Sequence, residues 1–163
     1  LATFYADCVP LYFVDPLHHA IGLSHSGWRG TVQKIGEVTI KKMAEEYGSN
    51  PKDMKVAIGP SICQDCYEVS LDVIEEFKNA FDQKHWDKLF YGKDNGKYQL
   101  NLWEAYQLDL HQACYYNFTD AGVLPEHIAM PDICTCCNPE FLFSHRASHG
   151  KRGNLGAFLG IRE

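Results

Sequence analysis

Cys8 and His25 are the residues of this chain best placed to do chemistry. They sit in two unusual words, Ala6-Asp7-Cys8-Val9-Pro10 and His25-Ser26-Gly27-Trp28-Arg29-Gly30. A thiolate beside an imidazole serves either as an activated nucleophile or as two thirds of a metal site. Taken alone, the pair also fits a buried thiol and a hydrogen-bonded core histidine. Asp7 before the cysteine and the glycines after the histidine favour a site, because glycine lets backbone approach a ligand closely. Arg29 follows at the start of an expected helix, where amides and a guanidinium together suit an anion. Its alternative is a surface salt bridge.

Two further groups carry polar chemistry. Cys63-x-x-Cys66 and Cys134-x-Cys136-Cys137 could form a four-thiolate zinc site. Their long separation, and the core-like Tyr67-Glu68-Val69 directly after Cys66, favour scattered reduced thiols instead. Ser144-His145-Arg146, followed by Lys151-Arg152-Gly153, reads as a strand end beside a basic loop that contacts phosphate or ribose, or as a merely solvated loop. His18, His19, His85, His111, His127 and His149 have no partner spacing and read as ordinary residues.

The elements must bring Cys8 and His25 together. Apolar runs at 11–14 and 20–23 flank the turn Asp15-Pro16-Leu17-His18, which predicts a hairpin with both residues at one end. An amphipathic helix is expected over 30–47, with Val32, Ile35, Val38, Met43 and Tyr47 inward and Gly48 as its stop. A short strand at 56–58 follows. Ser70 caps a helix with Val73, Ile74, Phe77 and Phe81 on one face. A turn is expected at 92–96. Asn101 and Glu104 resemble a capping box for a helix through Ala121, ended by Gly122. Strands are expected at 127–130, at 141–146 and at 157–161. The uneven alternation predicts an α+β fold with mixed β-sheets layered between flanking helices.

The 163 residues are 45% hydrophobic, enough for a single domain, 1–163, with its own core. The net charge of −6 and the lack of a basic stripe exclude nucleic acid as an expected partner. No apolar run approaches the roughly 20 residues of a membrane span, so no membrane partner is expected. Seven cysteines without a secretory signal indicate reduced thiols and a cytoplasmic location. The chain opens on Leu1 in a strand-like run with nothing before it to pair with, which predicts a further N-terminal segment.

Five words run in order along the chain: ADCVPLYF at 6–13, HSGWRG at 25–30, AIGPSI with CYEV at 57–69, CTCCNPEFLFSHR at 134–146 and RGNLGAFL at 152–159. Together they resemble the YfiH-like family, also described as polyphenol oxidase or laccase-domain proteins and as multifunctional purine nucleoside phosphorylases. The resemblance implies a zinc site of His, Cys and His. Cys8 and His25 match two of those ligands. The third belongs to an upstream Gln-Val-His word that this chain does not contain. Implied activities are phosphorolysis of adenosine, inosine, guanosine and methylthioadenosine, and hydrolytic deamination of adenosine. Three protein ligands would leave zinc open to a water, whose hydroxide suits attack at the purine 6-position. Phosphorolysis needs an anion pocket, for which Arg29 and Arg146 are the candidates, with purine nucleosides and phosphate as partners. Members often carry Gly-Arg where this chain has Gly153-Asn154, so no anion role transfers there. The catalytic acid and the oligomeric state are not legible.

Three rival readings follow from the same residues. Copper at Cys8 and His25 would make a laccase-like polyphenol oxidase, against which stand the few methionines and the scarcity of paired histidines. Cys8 as nucleophile and His25 as base would make a cysteine hydrolase or amidase. Zinc on the two cysteine pairs would make a non-enzymatic interaction module.

Overall fold

The computed structural model describes residues 1–92 and 105–162. In chain order the elements are β1 (Ala2–Tyr5), β2 (Val9–Asp15), β3 (Ala20–Ser26), α1 (Trp28–Val32), α2 (Ile35–Tyr47), β4 (Lys55–Ile58), β5 (Glu68–Ser70), α3 (Leu71–Ala80), α4 (Trp86–Leu89), β6 (Phe90–Gly92), β7 (Ala105–Leu108), α5 (Leu110–Asp120), β8 (Ile128–Ala129) and β9 (Leu155–Phe158). They form three sheets. The central one runs β3-β2-β4-β8, with β8 parallel to β4 and the other pairs antiparallel. A three-stranded sheet orders β5-β7-β6, and β1 pairs with β9. This is the expected α+β class of mixed sheets with flanking helices.

Alternation along β2 builds the core. Val9, Leu11 and Phe13 are fully buried, while Tyr12 and Val14 on the other face are half-buried. Phe13 meets Phe118 of α5 edge to face at 5.5 Å. Helix α2 closes over the same face at Gly36, where a Cβ would stand 2.9 Å from the Phe118 ring. No helix among the described residues is long and apolar enough to cross a membrane.

Several expectations are corrected. The helix expected over 30–47 starts earlier and breaks at Lys34, whose φ is +56°. The Thr31 carbonyl accepts from Lys34 N–H at 3.0 Å and from the Asn117 side chain at 3.0 Å, which ends the α1 ladder. The break rotates the buried stripe of α2 to Gly36, Ile40 and Met43, leaving Val38 and Tyr47 exposed. The helix expected from Asn101 begins only at Leu110. Strand β7 precedes it, and Asp109 caps it by accepting from Gln112 N–H at 2.9 Å. The Asn101–Glu104 pair and most of the 92–96 turn lie outside the described residues. The strand expected at 127–130 shrinks to β8 behind a 3-10 turn at Pro125–His127. Residues 141–146 are turns with Phe141 and Phe143 exposed, so the apolar run there has no sheet to join. The first strand does find a partner, the last one, in β9.

Candidate active site around Asp7 and Cys8

The hairpin delivers the first expectation. In the β2–β3 register Pro10 stands opposite His25 and Val9 opposite Ser26, so Cys8 and His25 share one end of the hairpin. By alternation His25 lies on the face turned away from α2 and α5. Its side chain is exposed, while Cys8 is partly buried. A Cβ on Gly27 would stand 3.2 Å from the Cys8 sulfur, so this glycine leaves the thiol its room.

Asp7 holds the surrounding loops. It sits at φ +76°, a left-handed conformation that aspartate tolerates better than most residues, and is only 8% exposed. Its Oδ1 accepts from the Thr135 hydroxyl at 2.7 Å and its Oδ2 from Arg146 N–H at 2.8 Å. Its carbonyl accepts from Ile62 N–H at 3.0 Å. One residue thus ties together the loop after β4, the cysteine turn after β8 and the Ser144–Arg146 turn. Ser144 stiffens the last of these by accepting from Ala147 N–H at 3.0 Å.

The arginines gather at the same place. Arg146 is fixed at both ends: its backbone by Asp7, and its guanidinium by a 2.9 Å bond to the Glu68 carbonyl. The guanidinium also lies 5.5 Å from the centroid of the Tyr67 ring. Arg29 is exposed, rests 4.3 Å over the Trp28 ring and forms no ion pair among the described residues. Helix α1 has only five residues, so its amides add little and any anion affinity there rests on the guanidinium.

Tyr67 was missed by sequence reasoning. Burial pushes its phenol up to about 12, with Cys8 and Asp7 adding to the rise and Arg146 and Arg29 opposing it. It therefore stays a proton-bearing donor, near both arginines and the thiol. The only sequence signal was its place directly after Cys66. Burial and then the Asp7 charge also raise the Cys8 thiol, and Arg152 opposes them. That direction is wrong for a free nucleophile, which needs a lowered pKa.

Two other sequence readings change. Cys63, Cys66, Cys134 and Cys137 are not scattered: their sulfurs all lie within 4.8 Å of one another. Among the described residues this is the one cluster of three or more metal-ligating side chains. Two of the histidines read as ordinary are partnered: His18 Nδ1 with Asp15 at 2.7 Å, and His111 Nε2 with Ser61 at 2.7 Å.

For a metal at this end of the hairpin, Cys8 and His25 would offer two donors, and Gly27 leaves the space that a Cβ would fill. A third donor is not supplied by the described residues.

Comparison with known proteins agrees with the geometry. The model of the family described as multi-copper polyphenol oxidoreductase laccase matches residues 1–162. The purine nucleoside phosphorylase YlmD of Bacillus subtilis is 36% identical over 166 residues, covering 100% of this chain and 55% of its own length. The crystal structure of YlmD from Geobacillus stearothermophilus superposes with a TM-score of 0.87 at 34% identity, over 100% of this chain and 57% of that one. That of the Bacillus licheniformis protein YfiH gives 0.84 at 34% identity, over 96% and 55%. The chain spans about half the length of these relatives. By fold, by sequence and by the words that line the site, it belongs to the laccase-like YfiH family.

Proposed function

We propose that this chain carries the phosphate side and two of three metal ligands of a zinc-dependent purine nucleoside phosphorylase that also deaminates adenosine. The observation that carries the reading is Arg146, fixed by Asp7 and by the Glu68 carbonyl over Tyr67. The name borne by the YlmD relatives supports the substrate class. The third ligand, a histidine, would come from a segment upstream of Leu1.

In phosphorolysis a phosphate oxygen bonds to C1′ of the ribose as the bond from C1′ to the purine nitrogen breaks. The departing purine takes up a proton from solvent, and the hydrogen phosphate returns its own as it becomes the ester dianion. Arg29 and Arg146 hold the phosphate dianion, where two guanidiniums offset its charge and orient it. The Tyr67 phenol donates a hydrogen bond within the same pocket. Cys8 and His25 would hold the metal, and Gly27 leaves the thiol its room. Zinc, when bound there, would supply Lewis acidity and lower the pKa of water, the chemistry that deamination requires.

Multi-copper oxidases use many histidines in paired spacing, and only His18 and His19 are adjacent in this sequence. The raised Cys8 thiol counts against a cysteine hydrolase.

The test is product analysis on the full-length protein with adenosine, with and without phosphate. Adenine and ribose 1-phosphate should form only when phosphate is present, and inosine in either case. Arg29→Ala should raise the phosphate KM about tenfold or more, the loss expected for one charged hydrogen bond. An unchanged KM would remove Arg29 from the site, and untouched adenosine would end the purine reading.

A further inference from the structure

The reaction proposed above leaves four thiols unused, and they stand together. Cys63 and Cys66 bracket a 3-10 turn, Gln64–Cys66, on the loop after β4. Cys134 and Cys137 lie on the turn after β8, 71 residues further along the chain. Their four sulfurs are all within 4.8 Å of one another, and Cys66 and Cys137 are 3.4 Å apart. A tetrahedral zinc with bonds of about 2.3 Å sets its sulfurs about 3.8 Å apart. The thiols already stand near that spacing, from two segments that meet only through folding.

The donor set also indicates the metal. Four sulfurs in a tetrahedral arrangement select zinc or iron over calcium and magnesium. Four protein ligands leave no open position, which is the pattern of a structural site. The backbone N–H of Cys63 donates to the Cys134 sulfur at 3.2 Å, the kind of bond that orients and stabilises a metal-bound thiolate. Backbone contact between the two segments is otherwise sparse: an isolated bridge between Ser61 and Cys134, and Thr135 N–H on the Ser61 carbonyl at 3.1 Å.

We propose that Cys63, Cys66, Cys134 and Cys137 bind one zinc ion as thiolates, in a closed site that clamps the loop after β4 to the turn after β8. Zinc replaces the thiol protons, which pass to solvent. The clamp adjoins the active site on both sides. Tyr67 follows Cys66 directly, and Thr135, which donates to Asp7, follows Cys134. The ion therefore fixes Tyr67 of the anion pocket and Thr135, which holds Asp7, without touching substrate. It is separate from the metal at Cys8 and His25, and it stands whether or not the phosphorylase reading does.

The experiment is zinc and iron analysis of the full-length protein purified under reducing conditions, with its Cys8→Ser, Cys66→Ser and Cys137→Ser variants. Cys66→Ser and Cys137→Ser should each lose one zinc per chain relative to wild type, and Cys8→Ser should keep that zinc. Because a serine variant can lose metal by failing to fold, Cys8→Ser is also reconstituted with cobalt(II). It should show thiolate-to-cobalt charge-transfer bands and the intense visible bands of a tetrahedral ion. Adding Cys137→His should keep the cobalt and shift those bands. Zinc content unchanged in Cys66→Ser and Cys137→Ser, iron in place of zinc, weak octahedral cobalt bands, or a mass showing these cysteines oxidised to disulfides would each overturn the proposal.

Discussion

Asp7 does more at this site than the cysteine beside it. Its carboxylate takes a proton donor from each of two distant turns, and both bonds are short. Asp7→Ala would strand the fully buried Thr135 hydroxyl and the Arg146 N–H, and would place alanine at a positive φ. The expected loss is about 2–4 kcal/mol in urea unfolding, together with activity. Asp7→Asn tolerates the backbone and keeps one acceptor, so it should retain more than half of that stability. Equal losses in the two variants would mean that the carboxylate is not the tie.

At the scale of elements, the close approach of α2 to α5 depends on Gly36. A methyl group there meets the Phe118 ring, which is itself locked against Phe13. Gly36→Ala should cost about 1–3 kcal/mol despite alanine's better helix propensity, measured as a lower urea midpoint with an unchanged slope. The hairpin turn gives a pH signature. Burial alone would raise the Asp15 carboxyl, yet the nearby Ser49 hydroxyl, the His18 ring and two backbone N–H groups hold it down at about 2. Its unfolded value is about 3.9, so its contribution is full above about pH 4 and is lost as pH falls through 2. Asp15→Asn should therefore remove about 2 kcal/mol at pH 7 and flatten the stability profile between pH 4 and 2. An unaltered acid limb would exclude this carboxylate as its source. The hairpin was legible because alternation and its turn are local. The break at Lys34 was not, because Asn117 helps to make it from another helix. The cysteine cluster was open to the sequence as one reading but disfavoured by its long separation, which the parallel run of β8 beside β4 bridges. Tyr67 gains its meaning from neighbours that sequence spacing does not show.

Across the whole molecule the charge is −6, yet Arg29, Arg146 and Arg152 all act on the small region around Cys8 and Tyr67. A positive pocket in a negative protein focuses its field on anions. Raising ionic strength from 0.01 M to 0.15 M shortens the screening length from about 30 Å to about 8 Å. The phosphate KM should rise over that range while the KM for the neutral nucleoside stays level, which initial-rate kinetics can separate. The pairing of β1 with β9 reaches further. Tyr5 stands opposite Leu155 across that pair, and Asp7 waits for Thr135 and Arg146. During synthesis, the strand that leads into Cys8 leaves the ribosome long before its partner exists. The central hairpin can form early from local contacts, but the anion pocket cannot close until Thr135 and Arg146 have arrived. A chain cut short before Arg146 would keep most of its core and lose Arg146 from the anion pocket, leaving Arg29 without its companion.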